Sequence, residues 1–247
     1  QTHSKGISLT PVTKGVCGSV EIARMLAAHK IHSIGDSHLS NIIRMKEAGV
    51  LAKFMLLRSP MMSETEGAAA KVDFSLNSEL SILRALNEQS ARYGKTHAII
   101  LMIELGDRRE GVMPEDALNY AHEILKLNSL RLAGIGANLT CLNGVKPTAE
   151  KMGQLGAIAQ DIEAKLSIQM EIISGGNSAN WQWLQETANP GLVNHLRMGE
   201  TILFGSNPIT QAGISGFKHD AFTLLAEVIE SKRKPAQPDG EVTFSAF

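Results

Sequence analysis

The feature that most constrains this chain is an alternation that repeats eight times: a short apolar run, then a stretch with helical spacing. The runs fall at 7–12, 33–34 with its flanks, 53–57, 72–75, 98–104, 130–139, 169–174 and 193–196. Helical spacing is clearest at 19–29, 39–48, 78–93, 114–127 and 148–166. Start signals support several of these: Ser19 just before Glu21, Ser78 before Glu79, and Pro114 at a first helical turn. Gly49 stops the second helix. Strands that alternate with helices argue for a parallel sheet covered by helices. Eight such units point to a closed α/β barrel of the (β/α)8, TIM type rather than to an open sheet.

Past Gly205 the pattern changes, with Gly213, Gly216, rough alternation over 222–234, then Pro235, Pro238 and Gly240. We read 1–210 as the barrel. Residues 211–247 are read as an exit segment toward a second, β-rich domain, although 222–234 also fits a closing helix. The chain begins at Gln1 and stops at Ser-Ala-Phe, as expected for part of a longer protein.

Composition removes several function classes. A net charge of -1 provides no field to recruit nucleic acid or an anionic membrane. No apolar run approaches the ~20 residues that span a bilayer. The first residues lack a basic stretch followed by an apolar core, so no secretory signal is expected. Cys17 and Cys141 match neither a disulfide framework nor zinc spacing, and no metal is expected. A cytoplasmic setting follows as the simplest expectation.

Barrel chemistry collects at the C-terminal strand ends, with phosphate often held after strands seven and eight. Strand one ends in Thr13-Lys14-Gly15, strand two in Gly35-Asp36-Ser37, and strand five runs into Gly106-Asp107-Arg108-Arg109. Strand seven enters Ser174-Gly175-Gly176-Asn177-Ser178, and strand eight enters Arg197-Met198-Gly199-Glu200. The serine-rich turn offers backbone N–H groups and hydroxyls for an anion. The last motif adds a cation and a glycine that lets backbone approach closely. Either motif alone also describes a tight turn with a capping serine. Lys14 alone also describes a surface lysine with a snorkelling stem. A lysine desolvated beside other cations becomes a nucleophile toward carbonyls. Lysine plus phosphate cradle is the minimal description of a pyridoxal-phosphate (PLP) site.

Taken in order, these motifs, with Glu104-Leu105-Gly106-Asp107-Arg108-Arg109-Glu110-Gly111 and His195 before Arg197, resemble the alanine racemase-like, fold-type III PLP enzymes. Within them they resemble most the ornithine racemase branch. The resemblance spans about 7–205 and implies racemisation of a small amino acid, alanine or a cationic one such as ornithine. It implies that Lys14 carries the cofactor as a Schiff base and serves as base on one face of the substrate α-carbon. By the same resemblance Ser178, with Asn177 beside it and the backbone of Gly199 and Glu200, binds the phosphate. Arg197 faces the pyridine nitrogen, and Asn138 falls where relatives often carry a histidine supporting that arginine. Arg109 lies near the substrate carboxylate. Asp36, with Glu104 and Asp107, would suit a cationic side chain, though such acids also pair with Arg58, Arg108 and Arg109.

Two departures stand out. Gly18 occupies the position where relatives close to alanine racemase carry a phosphate-binding tyrosine. The opposite-face acid in such relatives resembles a tyrosine from a partner subunit, which implies a homodimer. Tyr93 and Tyr120 both lie in helical patterns and do not match it. Cys17 is a conceivable substitute, though a small buried cysteine explains it as well. The rival reading is a non-enzymatic PLP-binding homeostasis barrel, which has similar length, lysine and Arg-x-Gly ending.

Overall fold

Every expected strand forms, in the expected order, in a computed structural model that describes residues 2–241. The strands are β1 (Ser8–Pro11), β2 (Ile34–Asp36), β3 (Phe54–Leu56), β4 (Phe74–Asn77), β5 (His97–Met102), β6 (Leu130–Gly136), β7 (Ile172–Ser174) and β8 (His195–Met198). All hydrogen-bonded pairs are parallel, in the order β1-β8-β7-β6-β5-β4-β3-β2. A bridge between Val12 and Gly35 joins the two ends, with Thr13 N donating to Gly35 O at 2.9 Å and His32 N to Leu9 O at 2.8 Å. The sheet therefore closes, leaving no edge strand.

The helices are α1 (Val20–Ala27), α2 (Leu39–Glu47), α3 (Thr65–Lys71), α4 (Leu80–Arg92), α5 (Ala117–Leu125), α6 (Ala149–Leu166), α7 (Trp181–Glu186) and α8 (Glu200–Phe204). Local chemistry sets their starts. Ser19 Oγ accepts from Ile22 N at 3.4 Å, and Thr148 Oγ1 from Lys151 N at 3.2 Å. Ser78 does not cap α4; Glu79 occupies the cap position, one residue later than expected. Strand six stops at Gly136, three residues short of the apolar run that suggested it.

Side chains along β5 sort by the strand period of two. Ala98, Ile100 and Met102 join Met55, Phe74, Leu76, Ala133 and Ile172 in a cluster inside the barrel. Ile99 and Leu101 face the helices instead, in the larger outer core. Each fully buried Ile or Leu is worth about 1.5–3 kcal/mol. On β8 the same alternation turns Leu196 outward into the helix-facing core and puts His195 and Arg197 on the opposite face. Register then sets Ser8 beside His195, Thr10 beside Arg197 and Ser174 beside His195.

Beyond α8 the described residues carry little regular structure. The segment read as the approach to a β-rich domain contributes one antiparallel bridge, Ser206 with Gly213. Residues 218–241 form neither strand nor helix, and 242–247 lie outside the described residues. Phe217 and Phe222 pack on Trp181 and Phe204, with ring centroids 5.4 and 5.2 Å apart. No helix among the described residues is long and apolar enough to cross a membrane.

Candidate active site

The C-terminal strand ends surround a cavity of about 640 Å3. Lys14, Arg109, Asn138, Asn177, Ser178, Arg197, Gly199 and Glu200 all line it. These residues come from the ends of strands one, five, six, seven and eight, so closure of the barrel is what brings them together.

Ser178 has a defined hydrogen-bond state. Its Oγ accepts from Gly199 N at 3.1 Å and from Thr201 N at 3.3 Å. A hydroxyl has two lone pairs and one hydrogen. Both lone pairs are occupied, so the hydrogen is left for an acceptor in the cavity. A side chain on Gly199 would bring its Cβ to 3.2 Å from Val12 Cβ, which keeps the backbone bare there. A hydroxyl donor, bare backbone, Lys14 and a buried cation sharing one cavity fit the phosphate, aldehyde and ring nitrogen of PLP.

Arg197 is that cation, with 4% of its surface exposed. Nη2 donates to Ala137 O at 2.8 Å and Nη1 donates to Ser174 Oγ. Burial pulls its pKa down to about 10, opposed by the charges of Glu110 and Cys141, so it stays ionised at neutral pH. His195 is fully buried, and both of its ring nitrogens bond to hydroxyls. Its Nδ1 meets Ser174 Oγ and its Nε2 meets Thr10 Oγ1, both at 2.8 Å. Burial, then the charges of Arg197 and His32, hold its pKa well below the usual histidine range.

The opposite wall comes from loops. Glu110 Oε1 accepts from Arg109 Nη1 at 2.9 Å and from Asn138 Nδ2 at 3.1 Å, and Asn177 Nδ2 donates to Asn138 Oδ1 at 2.8 Å. Asn138 therefore braces Glu110 and Asn177. The support expected of it for Arg197 comes instead from Ser174 and Ala137.

Three acids expected to face a substrate are turned into loop anchors. Asp36 is fully buried and does not line the cavity. It accepts from Thr13 Oγ1 at 2.8 Å, His38 N at 2.9 Å and Asn41 Nδ2 at 3.1 Å. A strand-end carboxylate with three donors in reach satisfies its own turn first. Glu104 accepts from the backbone N–H groups of Gly106 and Arg109. Asp107 accepts from the N–H groups of Leu142, Cys141, Val145 and Asn143. Burial raises the Asp107 pKa, but these four bonds outweigh it and hold the carboxyl below its usual value.

Lys14 lines the cavity yet is exposed, so the described residues do not bury it as its expected activation requires. Cys17 is exposed, has φ 49°, and lies outside the cavity lining. Cys141 lines it instead. Gly18 has φ +60°, and a Cβ there would sit 2.7 Å from Asn41 Cβ, so the tyrosine of some relatives could not be housed. Tyr93 donates to Glu66 at 3.0 Å on the outer surface. Sequence reasoning passed over Glu110, Arg58 and Thr140 as cavity residues. Arg58 is held by Ser37 O and paired with Glu64 at 2.7 Å.

Residues 1–208 match the family described as alanine racemase, N-terminal domain. The chain belongs to the alanine racemase family. Its enzyme class is that of the family's amino-acid racemases, and its cofactor is PLP. It is 35% identical to an ornithine racemase of Acetoanaerobium sticklandii over 98% of this chain and 68% of that protein. It is likewise 35% identical to a lysine racemase of Thermotoga maritima, with the same coverage. Among solved structures, alanine racemase of Clostridium difficile 630 superposes with TM-score 0.67 at 18% identity, over 79% of this chain and 51% of that one. PipY of Synechococcus elongatus PCC7942, with PLP bound, superposes with TM-score 0.66 at 16% identity, over 78% of this chain and 91% of that one. Likeness at that identity shows the shared barrel. The chain spans about two thirds of the length of the two racemases and about half of the alanine racemase chain.

Proposed function

We propose that this chain is the barrel domain of a PLP-dependent racemase whose substrate is a small amino acid with a cationic side chain, of the ornithine or lysine type. The observation that carries this reading is the convergence of Lys14, Ser178 and Arg197 on one cavity. When bound, PLP withdraws electrons from the substrate α-carbon and so acidifies its α-proton. Lys14 holds the cofactor and moves a proton to and from that carbon on one face. Ser178 donates its free hydrogen to phosphate, with the backbone of Gly199 and Glu200 and the side chain of Asn177 around it. Arg197 donates toward the ring nitrogen. It does not release its proton, so the ring is left unprotonated and the electron sink is weak, which favours return of the proton to carbon over other outcomes.

Arg109 is the cation for the substrate carboxylate. The cavity's carboxylates, Glu110 and Glu200, face the distal ammonium; Asp36 has no part in this. The two racemases at 35% identity act on diamino acids by name, which supports that side chain and does not favour a cofactor carrier without a reaction. The opposite-face acid comes from outside the described residues, in a homodimer.

Proton NMR of alanine, serine, lysine and ornithine in heavy water, with protein and PLP, tests the reading. Loss of the α-proton signal from a diamino acid, absent in Lys14→Ala, is the expected result. Retention of every α-proton by the full-length protein with PLP bound would overturn it.

A further inference from the structure

Below the cavity a chain of hydrogen bonds runs through the barrel to the N-terminal ends of the strands. It starts at Arg197 Nη1, which donates to Ser174 Oγ. Ser174 Oγ lies 2.8 Å from His195 Nδ1, and His195 Nε2 lies 2.8 Å from Thr10 Oγ1. Thr10 Oγ1 is 2.7 Å from Ser33 Oγ, which is 3.2 Å from His32 Nδ1. His32 Nε2 ends the chain 3.5 Å from Glu171 Oε1, and Arg131 Nη1 holds the other oxygen of Glu171 at 3.0 Å. Thr10, Ser33, Ser174 and His195 are all buried.

The two ends fix the direction of every hydrogen between them. An arginine can only donate, and a carboxylate can only accept. Facing Glu171, neutral His32 must carry its proton on Nε2, so its Nδ1 accepts from Ser33. Ser33 then accepts from Thr10, and Thr10 accepts from His195 Nε2–H. That leaves Nδ1 of His195 bare to take the Ser174 hydrogen, and Ser174 in turn accepts from Arg197. The reverse polarity sets a lone pair of His32 against the carboxylate. It also converges two N–H groups on Ser174, whose own hydrogen is then left without an acceptor in the buried interior.

We propose that His195 is a positioning residue for Arg197: locked as the neutral Nε2–H tautomer, its bare Nδ1 accepts the hydrogen bond of the Ser174 hydroxyl and leaves Ser174 able only to accept from the guanidinium. Ser174 and Ala137 O then pin one edge of Arg197, and the rest of the fork donates into the cavity. Its use toward the cofactor ring rests on the function proposed above. The tautomer does not.

Two measurements test this. Long-range proton–nitrogen NMR of the 15N-labelled chain without PLP should find Nε2 protonated and Nδ1 bare in both His195 and His32. A proton on Nδ1 of either ring overturns the proposal, and this needs no variant. The second is a PLP titration of His195→Phe and His195→Gln. Phe removes both partners, whereas a glutamine amide can accept from Ser174 and donate to Thr10. Affinity should fall about tenfold in H195F and largely recover in H195Q. Wild-type affinity in H195F, or equal losses in both, overturns the positioning role. A wild-type chain that takes up no PLP would defeat the cofactor reading while the tautomer result stands.

Discussion

The two walls of the cavity are built on different terms. On the β7–β8 side, Arg197 projects from a strand into the cavity, and beneath it Ser174 and His195, buried on the same strands, have their hydrogen bonds fixed by register with β1 and with each other. On the β5–β6 side, Arg109, Glu110, Asn138, Thr140 and Cys141 sit on connecting segments, and carboxylates hold those segments in place. Asp107 ties down 141–145 through four backbone bonds, and Glu104 ties down the turn at 106–109. A wall of strands can vary little without disturbing the barrel, which suits a cofactor common to a family. A wall of pinned loops can change its side chains and keep its shape, which suits a substrate that differs among relatives.

Substitutions in the two walls should therefore have separable effects. Arg197→Leu removes the donation to the cofactor ring proposed above, and PLP affinity should fall about 100-fold in an absorbance titration. The amides of Cys141–Val145 should exchange with solvent at the wild-type rate in that variant. Comparable loosening of both walls would show that they are not independent. Asp107→Asn should do the opposite. Its four N–H groups lose a carboxylate, and hydrogen exchange at Cys141, Leu142, Asn143 and Val145 should quicken by about 10–100-fold, with PLP affinity little changed.

Acid should mimic that variant. Because the folded-state pKa of Asp107 is depressed, its contribution is complete above the free value of about 3.9 and is lost as pH falls through the lower folded value. Protection of the same four amides should therefore hold above pH ~4 and decline below it. The smallest effect belongs to Glu110, a partly exposed carboxylate. Glu110→Gln should raise KM for ornithine about fivefold, with alanine unaffected. An equal change for both substrates would assign Glu110 to support of Arg109 alone.

Much of the barrel was legible because strands and helices differ in period, and because glycines and charges cluster at strand ends. Helix α3 escaped notice: Thr65–Lys71 reads Thr-Glu-Gly-Ala-Ala-Ala-Lys and lacks the large apolar residues that reveal a buried face. At the site, Lys14, Ser178 and Arg197 could be placed at the cavity because each lies in a motif at or just past the end of a strand. The role of Asp36 could not be read, since the donors that claim it, Thr13 and Asn41, come from a neighbouring strand end and from α2. The link from Ser174 to His195 was hidden for a similar reason. It depends on which residues of β7 and β8 lie side by side, and pairing register is a property of the closed sheet.

On this reading Lys14 is the residue that holds PLP. Borohydride reduction of the PLP-loaded chain, followed by digestion and mass spectrometry, identifies that lysine. A phosphopyridoxyl group is expected on the peptide containing Lys14, and none when the protein is Lys14→Ala. A group fixed on another lysine, or labelling that persists in the variant, would contradict it.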